Sequence, residues 1–157
     1  MGIALEEARA AAGEGEVPVG ALLLMPDGSY YRDHNRTGRS KDPSAHAEHL
    51  VICRAASVLG DWRLEGSTLY TTLEPCLMCT GLAVLARVPE IVYGAPDNRF
   101  GALGSVMDVL SVPELNHYPD VIGGILAEES SELMRSFFRR ARQNGGKAGR
   151  TRGRSEE

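Results

Sequence analysis

Two short strings far apart in the chain have to end up side by side. His46-Ala47-Glu48 and, thirty positions on, Pro75-Cys76-Leu77-Met78-Cys79 supply one imidazole, two thiols and a carboxylate. Each string stands where a helix is expected to begin. Asp42-Pro43-Ser44 offers an N-cap oxygen and a first-turn proline to a helix running to about Leu59, and Pro75 opens another running to about Arg87. Cys76 and Cys79, three apart, then put their sulfurs on one face of a first turn. A helix N-terminus also favours thiolate, the form of cysteine that binds metal.

With His46 as the third ligand, this donor set suits Zn2+ and leaves one coordination position for water, whose pKa falls from about 15.7 towards about 7 on the metal. Glu48 is two residues from His46 and points to a different helix face, near the metal without ligating it. Such a carboxylate can take a proton from the water, pass it to a ring nitrogen and later protonate departing ammonia. The pattern H-x-E…P-C-x-x-C is the signature of zinc nucleobase deaminases. Two other readings of the cysteine pair stay open at this point: a redox pair, and a closed structural site in which His49 joins His46, Cys76 and Cys79.

Composition bounds the rest. The chain has 157 residues, 43% hydrophobic and 24% charged, as expected of one soluble domain with a proper core. No apolar run approaches the roughly 18 residues a membrane span needs, and the N-terminus lacks a secretory pattern. Three cysteines, an odd number, argue against a disulfide framework and for a reducing, cytoplasmic setting. Cys53 reads as a small buried apolar residue. Residues 139–157 carry seven Lys/Arg against two Glu, which leaves −9 on the rest of a chain of net charge −4. A basic tail on an acidic body suggests a polyanionic partner.

Propensity and turn signals outline the elements. Helix is expected over 3–12, strand over 19–25 with a hairpin partner at 29–32, and loop over 33–43. Strands follow at 67–73, 90–93 and 121–126, a short helix at 105–110, and a terminal helix from Glu128 to about Arg142 with Leu133, Phe137 and Phe138 on its apolar face. Strands alternating with helices imply a three-layer α/β/α fold on a five-stranded mixed sheet, with the first hairpin as an antiparallel edge. Residues 1–143 form the domain. Residues 144–157, rich in Gly and Arg, are expected to be disordered. His34 has no assignable partner.

The match extends well beyond the metal motif. Glu16-Val17-Pro18-Val19-Gly20-Ala21, Asn35-Arg36, Asp42 to Glu48, Leu69 to Cys79, Gly94-Ala95-Pro96-Asp97 and Phe137-Phe138-Arg139 resemble the bacterial tRNA-specific adenosine deaminases of the cytidine deaminase-like superfamily. The resemblance runs from about residue 4 to about residue 143. It implies conversion of adenosine to inosine at the tRNA wobble position by a zinc-dependent homodimer that binds the anticodon stem-loop. Carried over by position, it makes Asn35 a hydrogen-bonding partner of the flipped nucleotide and Val19 and Leu73 walls of the base pocket, with Ala47 also among the substrate contacts. It puts Asp97 beside the sugar, Asn116 and His117 near the anticodon loop, and Arg139, Arg140 and Arg142 on RNA phosphates. Two rival readings are weighed against it: a free-base deaminase of guanine or cytosine type, and a zinc-stabilised nucleic-acid-binding module without turnover.

Overall fold

The structure is a computed structural model that describes residues 1–148. Helix α1 (Gly2–Gly13) is followed by strands β1 (Gly20–Leu24) and β2 (Tyr30–His34). A short α2 (Thr37–Ser40) precedes α3 (Ala47–Leu59), β3 (Thr68–Leu73), α4 (Leu77–Leu85) and β4 (Glu90–Ala95). β5 (Asp120–Ile122) and α5 (Ala127–Ala148) are the last described elements. The sheet order is β2-β1-β3-β4-β5. β1 runs antiparallel to both β2 and β3, while β3, β4 and β5 are parallel. α1 and α5 touch each other on one face, and α3 and α4 touch on the other. The expected three-layer architecture with a five-stranded mixed sheet is therefore present.

The local reasons are legible. α1 buries Ala4, Leu5, Ala8 and Ala11, a stripe of small residues that lets its backbone lie directly on β1. The contact is so close that a Cβ on Gly20 would sit 2.5 Å from the Ala8 nitrogen. The helix closes in a Schellman turn: Gly15 takes φ +80°, and the Glu16 and Gly15 N–H groups donate to the carbonyls of Ala11 and Ala12. The hairpin turns at Asp27-Gly28, where the Asp27 carboxylate accepts from the Ser29 N–H and hydroxyl. The core between the sheet and α3 is built from Leu23, Val51, Ile52, Leu69 and Ile91.

Five segments differ from the sequence expectation. The Asp42 side chain accepts from the Ser44 N–H (2.8 Å) and hydroxyl, and the Ala45 N–H donates to the Asp42 carbonyl. Asp42 thus closes a turn instead of capping a helix, and α3 starts at Ala47 with His46 as its extended N-cap. The expected loop 33–43 contains α2, whose Gly38 and Arg39 N–H groups donate to the buried Glu16 carboxylate. The expected helix over 105–110 is instead a loop ending in one 3-10 turn at Val109–Ser111, because the Val106 and Met107 N–H groups reach back to the Gly101 carbonyl and the Val109 N–H to the Ala102 carbonyl. The last strand stops at Ile122, and Gly123 and Gly124 lie outside it. α5 runs past Arg142 to Ala148, so 144–148 have helical backbone. The rest of the segment expected to be disordered lies outside the described residues.

Two side chains are also placed differently or newly. Cys53 is exposed on α3, not buried: the helix turns its apolar face, with Val51, Ile52 and Ala55, to the sheet and leaves position 53 outside. His34 is buried at the end of β2, its Nδ1 2.7 Å from Glu7 of α1 and its Nε2 3.3 Å from Glu14. It ties the sheet edge to α1 just before Asn35.

Candidate active site

The two helix starts meet beyond the carboxyl ends of β3 and β4, where open α/β sheets place their ligands. His46 caps α3 and Cys76 caps α4, both with extended backbone that aims the side chain away from the helix axis. Cys79 follows one turn inside α4 and is fully buried. His46 Nδ1 stands 3.6 Å from Cys76 Sγ and 3.6 Å from Cys79 Sγ. A tetrahedral zinc ion, with nitrogen at about 2.05 Å and sulfur at about 2.3 Å, would hold such atoms about 3.6 Å apart. All three ligand atoms lie within 4.8 Å of one another. His49 does not join them: its Nε2 faces Cys53 Sγ at 3.4 Å. The closed four-residue site is therefore not formed, and the donor set fits a three-ligand zinc centre.

The charges agree. A hydrogen bond from Cys79, and then one from His46, pulls the Cys76 thiol down to about 4 despite its partial burial. The neighbouring Cys76 sulfur and burial push the Cys79 thiol up. The hydrogen bond to Cys76 raises His46 above its usual range. Without a cation the pair thus holds a single negative charge and the second thiol keeps its proton. A dication removes that conflict, since it stabilises two adjacent thiolates at once.

Glu48 is 3% exposed and lines the same cavity. Burial pushes its carboxyl up to about 7, against the opposing pull of its own backbone N–H and of His46. A carboxyl poised there exchanges protons readily near neutral pH.

The cavity above these groups has a volume of about 970 Å³. Ordinary small-molecule pockets run from roughly 300 to 1,000 Å³, so this one has room for far more than a free base. Val19, Asn35, Leu73 and Asp97 line it, together with Arg139 and Arg142 of α5. The Asn35 carboxamide is oriented by its neighbour: its oxygen accepts the Ala47 N–H at 3.0 Å, which leaves the NH2 group for a ligand. Ala47 itself is buried beneath the cavity and engaged by that bond. Arg140 hydrogen-bonds Ser136 and does not line the cavity. Asn116 is exposed, and the His117 Nε2 donates to the Val88 carbonyl at 2.7 Å, before the start of β4. That is the opposite end of the sheet from the metal ligands, so these two residues do not reach this cavity.

The sequence reading assigned no role to Glu74, Arg99, Phe100 or Arg135. Glu74 is 1% exposed, and its carboxylate accepts from the N–H groups of Asp97 (3.0 Å), Leu103 (2.9 Å) and Ser105 (3.1 Å) and from the Ser105 hydroxyl. It fixes the loop that carries Asp97. An acidic residue directly before Pro75-Cys76 was the signal available for it. Burial pushes the Glu74 carboxyl up, but these hydrogen bonds outweigh it and hold the group below its ordinary value. A depressed folded value contributes stability above the ordinary carboxylate pKa of about 4.3 and loses it as pH falls through the folded value. Glu74→Gln should therefore cost about 2 kcal/mol at pH 7 by denaturant midpoint, and the gap from wild type should shrink on acidification below pH of about 4. A pH-independent gap would remove the ionised clamp.

Comparison with known proteins follows the same line. Residues 1–95 match the family described as the cytidine and deoxycytidylate deaminase zinc-binding region. The chain is 45% identical over 140 residues to the tRNA-specific adenosine deaminase of Bacillus subtilis (strain 168), covering 89% of this chain and 87% of that one. It is 44% identical over 142 residues to the enzyme of the same name from Agrobacterium fabrum, covering 90% and 93%. A solved structure from work on A-to-I editing by tRNA:A34 deaminases at the wobble position superposes with a TM-score of 0.81 at 45% identity, covering 85% of this chain and 96% of that one. Guanine deaminase from Nitrosomonas europaea shares the fold, with a TM-score of 0.73 at 24% identity over 87% of this chain and 81% of that one. With its three metal ligands converged and Glu48 beside them, the chain belongs to the tRNA-specific adenosine deaminase family of zinc enzymes.

Proposed function

We propose that the protein deaminates adenosine to inosine at the wobble position of tRNA. The observation that carries the reading is the buried, non-ligating Glu48 beside a His46, Cys76 and Cys79 triangle, at the floor of a cleft too large for a free base alone. Zinc, when bound, lowers the pKa of a water molecule and so supplies a nucleophile at neutral pH. Glu48 would take one proton from the attacking water and pass it to the purine ring nitrogen, then take the second proton from the hydroxyl newly formed on the ring carbon and pass it to the departing amino group, which leaves as ammonia. Val19 and Leu73 wall the base, the Asn35 NH2 group hydrogen-bonds it, and Asp97 faces the sugar. Arg139 and Arg142 stand where phosphates of a loop would pass, and a base in a loop is splayed out at low cost.

The same reading has the enzyme work as a homodimer on the anticodon stem-loop in the cytoplasm, where tRNA is found. The apolar side chains exposed on α4 (Leu77, Met78, Leu85) and on the segment between β4 and β5 (Val106, Met107, Val112) support a second copy as their cover. Among the described residues no helix is long and apolar enough to cross a membrane. The basic extension beyond residue 143 is read as a source of phosphate contacts that weaken with salt. Within one chain Asn116 and His117 lie far from the target, so their place near RNA requires a second copy.

The test is incubation with an anticodon stem-loop RNA carrying adenosine at the wobble position, alongside free adenine, guanine, cytosine and their nucleosides. Inosine from the RNA alone is expected. Faster ammonia release from guanine or cytosine would replace the reading with a free-base deaminase. Asn35→Asp keeps the acceptor for the Ala47 N–H and removes the donor to substrate. It should raise KM about 10- to 100-fold with an unchanged thermal midpoint; wild-type KM would take Asn35 off the site.

A further inference from the structure

The loop from Pro96 to Ser105 crosses the mouth of the cavity and is held stiffly. Glu74 clamps it at Asp97, Leu103 and Ser105. A bridge joins Gly101 to Cys76, and a Cβ on Gly101 would sit 2.5 Å from both the Asp97 carbonyl oxygen and the Glu74 carboxylate. At the tip of this loop stands Phe100, 68% exposed, more open to solvent than any other aromatic side chain of the chain. The clamp holds the backbone on both sides of the ring. Phe100 lines the cavity together with Arg99, and Arg139 and Arg142 line it from α5. An aromatic face among guanidinium groups along a groove is the composition of a single-strand nucleic-acid platform.

We propose that Phe100 is a stacking platform for the nucleobase immediately next to the target nucleotide. This inference rests on the tRNA deaminase reading above. The cavity is larger than one base needs, and the ring lies on its rim and not at its metal-bearing floor. Stacking on a ring has no hydrogen-bond pattern to satisfy, so it accepts any base. Its contribution falls on binding and not on proton transfer.

The experiment measures kcat and KM of wild type, Phe100→Ala and Phe100→Tyr on an anticodon stem-loop RNA, and on two versions abasic at the 5′ or 3′ neighbour of the target. Phe100→Ala should raise KM about 5- to 150-fold on the intact RNA, the loss of one stacked base. Its kcat should stay within about twofold, and Phe100→Tyr should restore KM. The penalty should vanish on one of the two abasic RNAs, since nothing is left to stack. An unchanged KM, an equal penalty on all three RNAs, or a change of oligomer mass in Phe100→Ala would overturn the platform while leaving the deaminase reading standing. Wild-type enzyme idle on every RNA overturns both.

Discussion

Glu48→Gln yields a folded, zinc-loaded protein whose turnover falls by about 10²- to 10⁴-fold, the contribution of a positioned acid–base group. The substitution keeps volume and shape at a site that is 3% exposed, so packing against α3 and the sheet is conserved. It removes only the ability to hold and release a proton. The effect belongs in kcat, because proton transfers are made in the transition state while the contacts proposed for Val19, Leu73 and Asn35 are left in place. Zinc content is the control. Glu48 is not among the converged ligands, so metal analysis of the variant should match wild type. A variant of near-normal turnover would instead favour a zinc-stabilised binding module, and a variant without zinc would make Glu48 a ligand.

Cys79→Ala carries the second large effect. The buried sulfur is one of the three ligand atoms within 4.8 Å, and nothing nearby replaces it, since His49 is turned to Cys53. Zinc affinity should fall by more than about 100-fold, the loss that even a neighbour of a ligand can cause. Activity should disappear with the metal. The wild-type thermal midpoint should drop on chelation, because an ion that binds only the folded state stabilises it by mass action. The midpoint of Cys79→Ala should ignore both chelator and added zinc. A zinc-dependent midpoint in the variant would show that another side chain closes the site.

The metal ligands and Glu48 were legible in the sequence because their spacing is local. Two helix starts, each with a turn residue before it, carry the whole constellation, and the alternation of strands and helices between them places both at one sheet end. The helix boundaries were less legible. Asp42 reads as an N-cap, and its side chain instead closes a turn ahead of the observed N-cap, His46, a choice between two hydrogen-bonding patterns open to the same carboxylate. The expected helix over 105–110 failed because the Val106, Met107 and Val109 N–H groups reach back to the Gly101 and Ala102 carbonyls, in a loop that Glu74, some thirty residues away in sequence, holds at Leu103 and Ser105. That Asn116 and His117 stand at the other end of the sheet from His46, Cys76 and Cys79 follows from which end of β4 the loop before β5 reaches, and no local pattern reports that. The exposure of Cys53 was a matter of helix phase, set by which side of α3 meets the sheet.

The central claim is one nitrogen and two sulfurs around a zinc ion with its last position open. X-ray absorption at the zinc edge of the purified, full-length protein measures that directly. The expected spectrum shows one zinc per chain, two sulfurs at about 2.3 Å and two light atoms at about 2.0 to 2.1 Å, only one of them from an imidazole. A second imidazole in that sphere, or protein that folds fully and holds no zinc, would contradict it.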